Sequence, residues 1–176
     1  MERFPEGTLS YGLYILTACE NGIPFGCIVN VAFQVTASPV KIAVSCSRDN
    51  FTHDKIKSCG AFGLTVLSES VDPALIRLFG FKSGRTVDKF EGIRWEKGEK
   101  TGVPILPEKG MTVLECRVTN AFDAGTHTLF VGEVENGKIT DPSAKEITYR
   151  YYHKVLKGIA PKNAPTYTGK AHLKQP

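Results

Sequence analysis

The familiar signatures of metal, nucleotide and membrane proteins are missing from this chain of 176 residues. Its five cysteines (Cys19, Cys27, Cys46, Cys59, Cys116) contain no Cys-x-x-Cys pair and leave an odd one over. That spacing argues against a disulfide framework, a zinc site or a bound rubredoxin-type iron, so no metal ligands are assigned and a reducing cytoplasm is expected. No apolar run approaches the ~20 residues of a spanning helix, and no membrane association is expected. The opening Met1–Gly7 carries two acids and no apolar core, unlike a signal peptide. No Gly-x-Gly-x-x-Gly follows a strand, and there is no Walker loop. The net charge of +4 is spread along the chain, which sets nucleic acid aside and leaves a mild field suited to anionic cofactors or acidic proteins.

What is present is strand patterning. An apolar content of 41% with 23% charged residues is ordinary for a soluble domain of this length. Leu9–Cys19 alternates imperfectly and ends at Glu20-Asn21-Gly22, a hairpin signal. Pro24–Val35 reads as the returning strand and Val40–Ser47 as a third, with Pro39 marking the break between them. Ala61–Leu67, Met111–Ala121 and Thr126–Glu135 are further strands, and a second Asn-Gly pair, Asn136-Gly137, leads on to Ile139. Asp72–Gly80 reads as a helix capped by Asp72, with Pro73 first and Gly80 as terminator. Phe81–Gly102 reads as a long surface excursion that includes Asp88–Phe90 and the one tryptophan, Trp95. Tyr149–His153 is a short amphipathic element. The expected organisation is one domain over 1–176, with a core of about 9–158 and an extended or partner-dependent tail over 159–176. Many strands with few, short helices imply a mainly β, antiparallel barrel rather than a doubly wound fold.

The stretch Val40–Asp54 carries the chemistry. A buried strand ends in Ser45, Ser47, Asn50 and Thr52, and a helix anchored by Ile56 follows through about Cys59, with Lys55 and Lys57 turned outward. Either Asn50 or Thr52 serves as N-cap. The alternative reading is an anion site, in which free backbone N–H groups, the helix dipole and Arg48 face one phosphate.

Several segments together resemble the flavin reductase-like family of FMN-binding split β-barrels, nearest its flavoredoxin, ferric reductase and high-molecular-weight-rubredoxin branch. They are Ser10–Tyr14, Gly26–Thr36, Phe51–His53, Arg77–Gly84, Asp88–Gly92, Thr101–Pro104, Gly125–Val134 and Ala164–Tyr167, in the family's order. The resemblance implies a homodimer with FMN at its interface and the isoalloxazine along Ile28–Phe33. Ile28, Asn30, Val31, Ala32 and Phe33 then hold the ring and ribityl, and Ser47, Arg48, Asn50 and Thr52 hold the phosphate. Phe79, Lys82, Ser83, Lys89 and Phe90 match the segment that closes over the flavin. Val31 departs from the usual Thr or Ser, which removes a hydroxyl contact but keeps a backbone N–H. His127 matches the histidine on the nicotinamide side; read from the residues alone, it is a core or rim histidine of its strand.

Other residues keep plainer readings. His53 is a solvated first-turn residue or a phosphate contact. Cys27 and Cys46 are buried residues beside the flavin strands, and Trp95 is packing. Three functions follow. The first is an enzyme in which NADH or NADPH reduces FMN, which passes electrons to free flavin or ferric iron. The second is an electron carrier that exchanges electrons with ferredoxin or rubredoxin. Because the chain reaches Pro176 without a Cys-x-x-Cys pair, any iron partner is expected to be a separate protein. The third is a non-redox barrel for storage or sensing.

Overall fold

The computed structural model describes residues 9–167. The readings of Met1–Gly7 and of the chain beyond Tyr167 lie outside the described residues.

Asn21 and Gly22 turn the first hairpin with φ of 51° and 79°. Left-handed backbone at both central positions is the type I′ geometry that matches strand twist, and Asn-Gly tolerates it best. The turn joins β1 (Tyr14–Glu20) to β2 (Ile23–Val29). Residues 9–13 do not extend β1 as the alternation implied: Gly12 bridges to Thr148, and the Tyr11 carbonyl accepts from Tyr149 N–H.

The expected second strand, Pro24–Val35, is two strands. It breaks at Asn30-Val31 into β2 and β3 (Ala32–Ala37). These two strands are opposite edges of one seven-stranded antiparallel sheet, which also contains β4 (Val40–Ser47), β5 (Ala61–Val66), β8 (Thr112–Asp123) and β9 (His127–Ile139). The order is β2-β1-β5-β8-β9-β4-β3. Three peptide steps separate Val29 from Ala32, so the two edges lie within about 11 Å of each other. The sheet must therefore curl into a barrel that is split at Asn30-Val31. Ser45 N–H donates to the Val31 carbonyl at 3.0 Å, which carries the β3–β4 ladder one residue past β3 and holds Val31 on that side of the split. Position in the fold overrides a largely apolar pattern in which only Asn30 marks the break. The Ser38–Pro39 peptide, in the turn from β3 to β4, is cis.

Inside the barrel, Leu16, Val44, Cys46, Phe62 and Phe130 pack together. One end is closed by α1 (Phe51–Cys59), through the fully buried Ile56. Phe62 reaches the axis because residue 132 is glycine: a Cβ there would stand 2.6 Å from the ring. The helix ends at Gly60 (φ 68°), whose N–H returns to the Ile56 carbonyl. Lys57 is exposed as expected. Lys55 is not, since its ammonium pairs with Glu20 and lies over the Phe25 and Phe51 rings.

A second core forms on the outer face of β1. It gathers Leu13, Ile15, Ile76, Phe79, Phe90, Leu106 and Ile147 under α2 (Pro73–Phe81) and α3 (Tyr149–Lys154). Asp72 caps α2 by accepting from Ala74 N–H at 2.8 Å. The helix runs past Gly80, which faces Ile28 (a Cβ there would stand 3.6 Å from it) rather than serving as a terminator. The excursion after α2 is tied down. It pairs β6 (Glu96–Lys97) with β7 (Pro104–Ile105), and it buries Lys89 and Phe90. Trp95 packs against Phe90. Buried Glu115 of β8 organises its far end, accepting from the N–H groups of Glu99, Lys100 and Thr101, the Thr101 hydroxyl and the Asn136 amide. That last bond explains why Asn136-Gly137 stays within β9: the pair sits at a β-bulge opposite Leu114–Cys116.

Candidate functional site

Where the barrel splits, an open cleft runs between the strand ends and the helices. One wall is apolar, from Leu13, Ile28 and Ile76. The other carries Asn30, Ser45, Ser47, Asn50 and His127. The end of β4 brings Ser47 there, the start of α1 brings Asn50, and the β8–β9 hairpin brings His127, opposite Ser47 in register.

Asn50 is the N-cap of α1 by position, yet its side chain makes no capping bond. Its Oδ1 instead accepts from Asn163 Nδ2 at 2.9 Å. Thr52, the other candidate cap, is buried in the first turn, where its hydroxyl reaches Cys27. Ser47 Oγ accepts from Asp49 N–H at 3.3 Å, which leaves its own hydroxyl hydrogen to donate. The His127 ring pairs through Nδ1 with the Thr126 hydroxyl at 2.9 Å. Its Nε2 is buried without a hydrogen-bond partner. Burial pushes this imidazole below its ordinary value, partly opposed by the Asn163 main chain and the Asp49 charge.

Of the residues singled out in the sequence, the cleft thus unites Ile28, Asn30, Ser47, Asn50 and His127. Val31 adjoins it, and half-buried Ala32 and exposed Phe33 continue along β3. Arg48 lies outside the lining, its guanidinium on Asp123 at 3.1 Å and the Gly125 carbonyl at 3.3 Å. Phe79 is core. Lys82 and Ser83 are exposed just past α2. Lys89 is a buried clamp that donates to the carbonyls of Gly26 (2.9 Å) and Phe79 (3.0 Å), and burial lowers its pKa. His53 is neither solvated nor at the phosphate position: it is buried between Asp54 (3.0 Å from Nδ1) and Thr128 (2.8 Å from Nε2).

The cysteines are buried as expected at positions 27, 46 and 116, while Cys59 is exposed. Cys27 and Cys46 share a hydrogen bond, and that bond, with burial second, holds the Cys46 thiol well above the ordinary range. Burial pushes Cys116 up to about 12, so it is no nucleophile. Among the described residues, no three His, Cys, Asp or Glu side chains cluster as metal ligands, and no helix is long and apolar enough to cross a membrane.

The segment 159–167, expected as an extended or partner-dependent tail with only Ala164–Tyr167 matching the family, was given no place at the site. It folds back over the cleft, placing Ile159, Pro161, Asn163, Ala164 and Pro165 in the lining. Asn30 Nδ2 donates to the Thr166 hydroxyl at 3.0 Å, and Thr166 donates to Tyr149 at 2.9 Å. Two of the polar bonds that hold this strap come from residues more than a hundred positions away, so apart from the family match at Ala164–Tyr167 no pattern of its own announces it.

The lining suits a flavin mononucleotide. A phosphate matches the Ser47 hydroxyl, the Asn50 amide and the start of α1. The apolar wall suits a planar ring, and the orphaned His127 Nε2 is a polar atom awaiting a partner.

Comparison with known proteins points the same way. The family described as a flavin reductase like domain matches residues 6–160. The ferric-chelate reductase (NAD(P)H) of Archaeoglobus fulgidus is 42% identical over 159 residues, covering 90% of this chain and 93% of that one. The high molecular weight rubredoxin of Moorella thermoacetica is 42% identical over 161 residues, covering 92% of this chain and 69% of that protein. Among solved structures, the NADH:FAD oxidoreductase of Streptomyces globisporus C-1027 has the same fold, with a TM-score of 0.72 at 24% identity over 80% of this chain and 81% of that one. An FMN-binding protein from Thermus thermophilus aligns with a TM-score of 0.71 at 25% identity, covering 79% and 78%. With the family match running nearly end to end and two relatives at 42% identity, the protein belongs to the flavin reductase-like domain family.

Proposed function

We propose that the protein is an FMN-dependent oxidoreductase that takes reducing equivalents from NADH or NADPH and passes them to free flavin or ferric iron. The observation that carries this reading is the cleft itself. It combines an anion-suited strand end at Ser47 and Asn50, an apolar wall, and a buried His127 Nε2 with no partner. The relatives named for ferric-chelate and flavin reduction support the direction of electron flow.

FMN held there would supply the hydride-accepting and electron-releasing chemistry of the reaction. The chain's part is to bind, orient and protonate. Ser47 and the start of α1 hold the phosphate, with the Asn50 amide donating beside them. Arg48 adds its charge. Its ion pair with Asp123 is exposed on both sides (54% and 66%), and such pairs are worth only about 0–1 kcal/mol. The guanidinium can therefore turn onto a phosphate at little cost. Ile28 and the strand end through Phe33 support the ring. His127, held neutral by burial, offers Nε2 to the nicotinamide or the acceptor and can carry a proton between ring and solvent. Lys89, clamped to Gly26 and Phe79, fixes β2 to α2, while Lys82 and Ser83 sit at the rim.

The reading extends to a homodimer. Phe33, Ala43, Val131, Leu129, Ser45 and Phe122 share one face of the sheet through direct cross-strand pairing. Phe33 and Phe122 on that face are 52% and 55% exposed, and Ser45 continues it into the cleft. A second copy laid on this face would shield both phenylalanines and roof the flavin.

One observation favours a second reading. A high molecular weight rubredoxin shares 42% identity with the chain, which supports an electron carrier serving ferredoxin- or rubredoxin-type partners. Steady oxidation of NADH or NADPH with FMN or ferric citrate separates the two. Turnover supports the reductase, and flavin that is reduced only by a redox protein supports the carrier.

A further inference from the structure

Two asparagines face the cleft, and a segment outside the barrel holds both. Asn30 is only 5% exposed, and its amide nitrogen donates to the Thr166 hydroxyl. Thr166 has one hydroxyl hydrogen, and it goes to Tyr149. Toward Asn30 the hydroxyl can then only accept, which decides the amide's orientation. The Asn30 carbonyl oxygen is left to face a ligand. At Asn50 the polarity is opposite. Its Oδ1 is taken by Asn163 Nδ2, so its NH₂ donates, one hydrogen to the Cys46 sulfur and the other left for a ligand.

The strap is itself anchored. The Tyr152 hydroxyl donates to the Ile159 carbonyl at 3.1 Å, and His153 Nδ1 meets the Gly158 carbonyl at 2.8 Å. Pro161 and Pro165 stiffen the segment between these anchors and Thr166.

We propose that the 159–167 strap is a positioning element of the flavin site. Through Thr166 and Asn163 it fixes an acceptor at Asn30 and a donor at Asn50. The inference rests on the flavin reading above and adds ligand polarity to it. The Asn30 end takes an N–H or hydroxyl of the ring or ribityl, and the Asn50 end takes phosphate oxygen. An unfixed asparagine presents either face, and a site that must first turn its amides binds more weakly.

The test titrates FMN and riboflavin into the full chain and into Thr166→Val, Thr166→Ser and Asn163→Ala, following flavin fluorescence and the visible absorption bands. Thermal melts confirm that each variant is folded. Thr166→Val is expected to weaken FMN binding about five- to tenfold and to shift the bands of the bound flavin, while Thr166→Ser stays within about twofold of wild type. Asn163→Ala is expected to weaken FMN about fivefold but riboflavin, which lacks the phosphate, by less than about twofold. Equal effects of Thr166→Val and Thr166→Ser would make the strap mere packing and overturn the proposal. Tighter binding in Thr166→Val and Asn163→Ala would overturn it too, and would make the strap a competitor for the cleft. Wild-type protein that binds no FMN would instead remove the flavin reading beneath it.

Discussion

Replacing His127 by leucine separates the cost of the cleft from its use. Its Nδ1 is bonded to Thr126, while its Nε2 is buried with no well-formed hydrogen bond, the Asn163 main chain offering only a weak contact. A buried polar group without a partner costs about 1–3 kcal/mol, and the Nδ1 bond returns about 1. Leucine is close in size and keeps most of the packing, so His127→Leu should stabilise the flavin-free chain by about 1–2 kcal/mol. In a domain this large that is a rise of roughly 2–8 °C in Tm. The pH dependence gives the signature. Burial sets the folded-state pKa of His127 below the ordinary value of about 6.5. Between those two values the unfolded chain binds more proton than the folded one, so wild-type stability falls as pH drops through that window and levels off below it. Leucine cannot titrate, so the Tm advantage of the variant should widen from pH 8 to pH 5. Thermal melts of flavin-free protein across that range measure it directly. A variant less stable than wild type at every pH would show that His127 is a satisfied structural residue. With FMN bound, the same variant should keep its flavin but be reduced more slowly by NADH or NADPH, the usual exchange of stability for function.

Three further outcomes follow. Glu115→Ala strips five hydrogen bonds from the β6–β7 loop and Asn136. It should cost about 3–5 kcal/mol in chemical denaturation. These bonds hold the carboxyl below its usual value against the opposing effect of burial. Its contribution is therefore present at neutral pH and lost as pH falls through the folded-state value, so the variant's acid denaturation should be shallower than that of wild type. Arg48→Ala should weaken FMN binding by about 1.5–3 kcal/mol if the guanidinium turns onto the phosphate, and unchanged affinity in a fluorescence titration would leave it only a pin for the β8–β9 turn. The proposed homodimer predicts that wild type scatters as a dimer and Phe122→Glu as a monomer with lower FMN affinity; a monomeric wild type would refute the dimer, and a variant that remains dimeric would move its interface elsewhere.

Elements set by local chemistry were legible in the sequence. Asn21-Gly22 fixes the first hairpin, Asp72-Pro73 starts α2, and Val40–Ser47 is apolar enough to be a strand in any context. Ser47, Asn50 and His127 were placed together by resemblance, and the fold unites them. Elements set by distant partners were not legible. In Val29-Asn30-Val31-Ala32 a single asparagine is the whole local sign of the break, too little to end a strand, and the curl of the sheet with the Ser45–Val31 bond places the split there. Asn136-Gly137 has the same dipeptide as the first turn, but Glu115 holds it in a strand. Lys89 and His53 are residue types that usually face water, and their burial depends on carbonyls and a threonine contributed from elsewhere. The strap reads as tail because two of the residues that hold it, Asn30 and Asn50, lie more than a hundred positions away in sequence.

The most direct measurement is anaerobic. Purified protein is loaded with FMN and mixed first with NADH and then with NADPH, while absorbance near the flavin's visible maximum is followed. The expected result is rapid bleaching by at least one nucleotide, and recovery of colour when ferric citrate or free flavin is added. Bound FMN that ignores both nucleotides would contradict the reductase and leave the electron carrier; failure to bind FMN at all would contradict both.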